Sequence, residues 1–234
     1  MTVDLLLSSG FLAFGRQTGF LQGVEDCGLE VGAVVGTSSG ALAGALWAAG
    51  LSAREVFEAL TERAPLVSVR PSWQPWRGLL SMSAVIRDLE DRLPATFAEL
   101  PRPFAVGVMG PDGAHRLVRE GPLPPAVAAS CAIPTLFAPV RVHGEPCRDG
   151  GFTDRIGARA WRTWRGERTA VAHMVDRSGG TDADPGTGDL LVVRSGRSFA
   201  KLWDLGDVAT RFEETRMSTV TAIRHAGYAR VGSG

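Results

Sequence analysis

The sequence predicts an α/β fold on a mostly parallel sheet, and three observations carry that expectation. Apolar runs at residues 3–7, 31–35 and 169–175, interrupted only by Asp4, Thr169 and His173, have the hydrophobicity of strands buried on both faces. Helical stretches alternate with the first two, giving strand, helix, strand, helix within the first 50 residues, the βαβ pattern. The segments after those strands, Ser8-Ser9-Gly10 and Gly36-Thr37-Ser38-Ser39-Gly40, are short and rich in Gly and Ser. Loops at the carboxyl ends of parallel strands are where such sheets build their sites.

Residues 3–7 form the first strand. A helix over 16–27 follows, with Phe20, Leu21 and Val24 on one side and Gly28 as its stop. The strand at 31–35 runs into the Ser38 turn. The helix over 39–49 is built from small residues, among them Ala41, Ala43, Gly44, Ala45 and Ala48, which allow close contact with the sheet. Ser52-Ala53-Arg54-Glu55 has capping-box spacing and starts a helix over 53–63. Residues 64–80, interrupted by Pro65, Pro71, Pro75 and Gly78, have no period and read as an irregular excursion.

A helix over 83–93 comes next, then a short turn with capping-box spacing from Thr96 to Glu99. A hairpin pairs 104–109 with 114–118 around Gly110-Pro111-Asp112-Gly113 and adds antiparallel character at one side of the sheet. A helix over 124–131 and short strands at 137–142 and 145–148 lead to Asp149-Gly150-Gly151. The remainder reads as a helix over 156–164, a strand at 169–175, a mobile Gly-, Asp- and Pro-rich loop over 176–188, and a strand at 190–193. A final helix over 207–225 turns Val208, Phe212, Met217, Val220 and Ile223 toward the core. No repeat or linker divides the chain, so 1–234 is expected to form one domain.

Apolar residues make up 44% of the chain and charged residues 21%, a mix that supports a packed core. The formal net charge is zero, which gives no reason to expect a nucleic-acid partner. Three widely spaced cysteines, Cys27, Cys131 and Cys147, argue against a disulfide framework or a zinc site and fit a reducing, cytoplasmic setting. The N-terminus lacks the basic start of a signal peptide, and no apolar run approaches the roughly 18–20 residues of a membrane span. No pair of histidines has metal-ligand spacing, so neither a metal nor a cofactor is expected.

Three stretches could carry chemistry. Gly36-Thr37-Ser38-Ser39-Gly40 has the G-x-S-x-G form of a strand, a sharp turn and a helix. A serine on such a turn presents its hydroxyl to solvent, and the helix N-terminus aims free N–H groups and a positive dipole end at it. The pattern alone also describes an ordinary connecting turn. Asp149-Gly150-Gly151 can hold a carboxylate close to neighbouring backbone, but Asp-Gly is also a common turn pair. The loop Ser9-Gly10-Phe11-Leu12 after the first strand can offer backbone N–H groups to an oxyanion, or simply join a strand to a helix.

Together these stretches resemble the patatin-like phospholipase family, in the manner of its small bacterial-type members. The likeness runs through Gly10 and its loop, the serine box, and Ala129-Ser130-Cys131-Ala132-Ile133-Pro134, then by way of Phe137 to Asp149-Gly150-Gly151, in that family's order over about residues 3–155. The resemblance implies a three-layer α/β/α sandwich and a Ser–Asp dyad acting on acyl esters of lipids. Carried over residue by residue, Ser38 is the nucleophile and Asp149 the general base. Gly36 and Gly40 frame the nucleophile elbow, and Gly150 and Gly151 complete the aspartate motif. The N–H groups of Gly10, Phe11 and Leu12 form the oxyanion hole. The chain departs from the family in that loop, where Phe11 and Leu12 replace glycines and Phe14 replaces a basic residue; Arg16, two residues further on, is not an equivalent. An ordinary aspartate, with a pKa near 3.9, is a poor base at neutral pH, so the dyad needs a partly desolvated Asp149.

The implied function is a serine acyl-ester hydrolase working through an acyl-enzyme. The competing reading is a lipid- or acyl-binding protein whose altered loop has weakened catalysis. A third is a Ser–Asp–His triad that would use His173 or His225. His173, inside an apolar strand, reads as a core histidine, while His115 and His143 lie near turns and read as surface residues. Cys131 reads as a buried small residue. Trp73 and Trp76, with Leu79, Leu80 and Met82, read either as a lid or membrane-interface patch, giving peripheral membrane contact, or as a cap packed on the domain, which is preferred.

Overall fold

A computed structural model describes residues 2–62, 70–73, 76, 78–177 and 189–228. In chain order the elements are β1 (Thr2–Leu7), α1 (Phe14–Asp26), β2 (Glu30–Thr37), α2 (Ser39–Ala48), α3 (Ala53–Thr61), β3 (Arg70–Pro71), β4 (Leu80–Ser81), α4 (Ser83–Glu90), β5 (Phe104–Met109) and β6 (His115–Val118). They continue as α5 (Leu123–Ser130), β7 (Val140–Val142), β8 (Glu145–Asp149), α6 (Ala158–Arg165), β9 (Ala170–Val175), β10 (Leu190–Ser195) and α7 (Val208–His225). The main sheet has the order β10-β9-β1-β2-β5-β8-β7, with β6 also on β5. It is parallel from β10 through β5; β6 and β8 run antiparallel to β5, and β7 antiparallel to β8.

Alternate side chains of the strands point to opposite faces, and both faces are buried. Leu5, Leu7, Val34, Val106, Val108 and Val171 join one core with α1, α2, α3, α5 and α7. Leu6, Val35, Ala105, Ala170, Ala172 and Met174 join a second with Ala158 and Trp161 of α6. Helices therefore cover a mostly parallel sheet on both sides. Asp4 pins α6 to β1: its buried carboxylate accepts hydrogen bonds from Trp161 Nε1 at 2.9 Å and Arg165 Nε at 2.8 Å.

One detail of pairing positions the site. β6 occupies one edge of β5 along residues 106–109. β2 pairs with residues 104–107 and β8 with Val108 and Met109, so these two must share the opposite edge, end to end. β2 stops where Thr37 meets Gly107, and Asp149 of β8 meets the next residue, Val108. The chain leaving β2 at Ser38 is thereby set beside Asp149.

Most elements match the sequence expectation within a few residues, and the differences have physical reasons. Helix α1 is buried around most of its girth, including Gln17 and Thr18, because α7 covers the face away from the sheet. That contact is made by a stripe of glycines. A Cβ on Gly15 would lie 2.5 Å from the Val208 carbonyl, one on Gly19 2.2 Å from that of Phe212, and one on Gly23 2.6 Å from Thr219 Cβ. Backbone therefore meets backbone, and α7 buries Thr215 and Thr219 beside Phe212 and Ile223, while Met217 faces solvent. The strand expected at 137–142 is confined to Val140–Val142.

The packed-cap reading of the tryptophan cluster is corrected: Trp73 is 98% and Trp76 79% exposed, and only Met82 of the cluster is buried. His143 is exposed as expected, whereas His115 is half-buried. Its ring fits against Gly107 and Gly157, and its Nε2 is buried without a partner among the described residues. Burial lowers its pKa, against the opposing charge of Asp154. The expected loop over 176–188 lies outside the described residues from 178 onward, as do 64–69, 74, 75 and 77 of the irregular excursion and residue 63 of the helix expected over 53–63.

Candidate active site

Ser38 stands between β2 and the N-terminus of α2 with φ 55° and ψ −121°, a backbone conformation that side-chain-bearing residues rarely adopt. Such strain costs on the order of 1–3 kcal/mol and persists only where the surroundings enforce it. Here they do. The Ser38 N–H donates to Ser130 Oγ at 2.8 Å, and the Ser130 hydroxyl in turn donates to the Gly107 carbonyl at 2.6 Å. The Ser38 carbonyl accepts from the Ala41 N–H at 2.8 Å and from the Cys131 thiol at 3.4 Å. The two elbow glycines are required by close approach. A Cβ on Gly36 would lie 2.4 Å from the Gly40 carbonyl, and one on Gly40 the same distance from that of Leu7.

Asp149 ends β8, nearly inaccessible to solvent. Its N–H donates to the Ala132 carbonyl at 3.0 Å, tying it to the Ala129–Pro134 run, and its Oδ1 accepts the Gly151 N–H at 2.8 Å. Burial raises its pKa from 3.8 to about 6; hydrogen bonds from the Ser38 side chain and the Gly151 N–H oppose that rise. A Cβ on Gly151 would strike Ser9 Oγ at 2.4 Å, so the aspartate motif also lies against the first loop.

That loop has an unusual hydrogen-bond pattern. The N–H groups of Ser8, Ser9 and Ala13 donate to the carbonyls of His173, Arg155 and Gly10, respectively. Among the described residues, the three N–H groups between them, of Gly10, Phe11 and Leu12, have no acceptor. Gly10 and Phe11 line the same cleft as Ser38 and Asp149, while Leu12 takes a left-handed φ of 48° at the turn. The cleft holds about 430 Å³ and is walled by the carboxyl ends of β1, β2, β9 and β10 together with Ile133, Gly151 and Phe152. Phe11, Phe152 and Phe199 stand at its mouth, 47%, 64% and 64% exposed, with Arg177 and Arg197 also in its lining.

The structure thus brings Ser38, Asp149, Gly10 and Phe11 together. Neither triad histidine partners Ser38. His225 is exposed at the end of α7. His173 is fully buried, stacked on Phe20, and bridges Gln17 Oε1 and Ser195 Oγ, each at 2.8 Å. Burial, with the Arg16 charge adding, depresses its pKa to about 3. Arg16 points to α7, where its guanidinium meets Glu214 at 2.7 Å. Cys131 is only partly buried, not fully as expected; desolvation and the nearby Asp149 charge push its thiol pKa well up, which disfavours the thiolate.

In the sequence Ser130 stands out only as part of the Ala129–Pro134 run, and Arg155 and Ser198 belong to no motif. Arg155 donates to the Ser9 carbonyl at 2.7 Å and to Ser9 Oγ at 3.1 Å, and also reaches the Val175 carbonyl. Ser198 donates to the Phe11 carbonyl. Their only signal was a place after the aspartate motif and after the last strand.

Among known proteins, a family model described as patatin-like phospholipase matches residues 5–160. Uncharacterized NTE family proteins of Mycobacterium bovis and Mycobacterium tuberculosis are 28% identical over 209 residues, covering 87% of this chain. The chain spans 58% of the length of those relatives. In structure it is similar to VipD from Legionella pneumophila (TM-score 0.59, 13% identity, 94% of this chain and 67% of that one). It is similar as well to the type III effector ExoU of Pseudomonas aeruginosa (TM-score 0.55, 12% identity, 96% and 53%). At these identities the two structures speak to the fold alone.

Proposed function

Because the chain belongs to the patatin-like phospholipase family, we propose that it is a serine lipid acyl hydrolase working through Ser38 and Asp149. The observation that carries this reading is the strained serine at a helix N-terminus, hydrogen-bonded to a buried carboxyl whose pKa is raised to about 6. A base of that strength is largely ionised at neutral pH and still more basic than an ordinary aspartate.

In the proposed reaction Asp149 takes the Ser38 proton while Oγ bonds to the ester carbonyl carbon. The carbonyl oxygen becomes an oxyanion, received by the N–H groups of Gly10, Phe11 and Leu12. Collapse breaks the ester C–O bond, and the Asp149 proton goes to the departing alkoxide. Water, giving its proton to Asp149, then attacks the acyl-enzyme, and that proton returns to Ser38 as the fatty acid leaves. Exposed Phe11, Phe152 and Phe199 around the mouth, with Arg197 stacked on Phe199 at 4.7 Å, support peripheral contact with a lipid surface.

The test is hydrolysis of p-nitrophenyl and phospholipid esters together with fluorophosphonate labelling. The wild type is expected to react in both, and Ser38→Ala to react in neither. Asp149→Ala is expected to lose at least about 100-fold in kcat, the low end of a general base's usual share. Full activity in either variant overturns the role of that residue.

A further inference from the structure

We propose that Ser198 and Arg155 are positioning residues that aim the oxyanion-hole N–H groups by holding carbonyls of the same peptides; this rests on the Ser38 reading above. In a trans peptide the C=O of one residue and the N–H of the next point in opposite directions, so fixing a carbonyl fixes the following N–H. The first loop has three consecutive carbonyls fixed in this way. The Ser9 carbonyl accepts from Arg155 at 2.7 Å, which sets the Gly10 N–H. The Gly10 carbonyl accepts from the Ala13 N–H at 3.3 Å, which sets that of Phe11. The Phe11 carbonyl accepts from the Ser198 hydroxyl, which sets that of Leu12. These are the three N–H groups left without an acceptor among the described residues.

The anchors are themselves held. The Arg155 carbonyl accepts the Ser9 N–H at 2.8 Å, so the start of the loop is gripped from both sides. Ser198 is buried, and the carbonyl of its neighbour Arg197 accepts from Arg211 of α7 at 3.1 Å. The need for anchoring comes from the loop's own sequence. Leu12 carries a side chain at a φ of 48°, where glycine would rest without strain, and a turn of this kind relaxes by rotating its peptides. Ser198 lies beyond residue 160, where the family match ends. The last third of the chain therefore completes a loop that the first dozen residues begin.

The experiment compares wild type with Ser198→Ala, Ser198→Thr and Arg155→Gln. It measures kcat and KM on a short p-nitrophenyl ester, active serine by fluorophosphonate titration, and affinity for an alkyl trifluoromethyl ketone, whose adduct with serine carries the oxyanion. Misaiming one donor costs less than the roughly 100- to 1,000-fold lost on deleting one. Ser198→Ala is expected to lower kcat per active serine about tenfold with KM within about twofold, and to weaken the ketone by the same factor as kcat. Arg155→Gln is expected to do likewise, and Ser198→Thr, which keeps the hydroxyl, to retain most of both values. A merely structural role would reduce the titratable serine and leave kcat per active serine and ketone affinity intact. That result in both Ser198→Ala and Arg155→Gln overturns the proposal. A wild type that neither hydrolyses the ester nor takes the fluorophosphonate refutes the Ser38 reading itself, and the positioning role falls with it.

Discussion

Asp149 carries opposite consequences for chemistry and for stability. Its pKa is about 6 in the folded protein against 3.8 for the free group, so between those values the native state holds a proton that the unfolded chain has released. The stability this supplies is complete below pH 4 and is lost as pH rises through 6, a swing of at most about 3 kcal/mol. His173 works the other way: with a folded pKa of about 3, its contribution is full above pH 6.5 and is lost as pH falls toward 3. Replacing Asp149 by Asn removes only the first effect. Asp149→Asn is expected to melt higher than wild type at pH 8 and about equally at pH 4, while losing ester hydrolysis; equal melting at both values would contradict the buried carboxylate. In wild type, kcat/KM is expected to rise to a plateau with an apparent pKa near 6, read from a pH–rate profile.

At the scale of elements, the glycine stripe of α1 makes the closest test of the packing. Alanine at position 19 would drive its methyl into the Phe212 carbonyl, and backbone cannot move aside as a side chain can. Gly19→Ala is expected to lower stability by about 1–3 kcal/mol in urea unfolding, despite alanine's better helix propensity. This contact also marks how much the sequence disclosed. β1, β2, β9 and the serine turn were legible because buried strands and Gly-framed turns leave local patterns. Asp149, which the structure sets beside Ser38, was legible as a candidate through Asp149-Gly150-Gly151 and its place after the Ala129–Pro134 run. The α1–α7 stripe was not, because glycines four apart signal only when the partner helix is known. The half-burial of His115 is hidden for a related reason: Gly107 and Gly157, from other parts of the chain, lie against a ring that its own turn would expose. Arg155 and Ser198 act on carbonyls of distant residues, and no spacing rule reports such a bond.

At the scale of the whole molecule, net charge is zero, yet arginines and exposed phenylalanines gather at one cleft mouth. Sedimentation with vesicles is expected to show more binding to phosphatidylglycerol-containing than to pure phosphatidylcholine membranes, reduced in a Phe152→Ala/Phe199→Ala variant and weakened by salt. Equal binding of that variant would place the contact elsewhere, with the exposed Trp73 and Trp76 as the next candidates.

The shared edge of β5 bears on when the proposed site is assembled. Ser38 and Asp149 belong to chain segments far apart in sequence, and they become neighbours only when β2 and β8 have both docked on the same strand. Contacts between distant segments pay their loop-closure entropy late, whereas α1, β2 and α2 can associate locally. Recovery of fluorophosphonate reactivity after dilution from urea is therefore expected to lag behind the return of helical circular dichroism. A newly made chain would then carry an inert serine through most of its folding, armed only when the antiparallel end of the sheet closes.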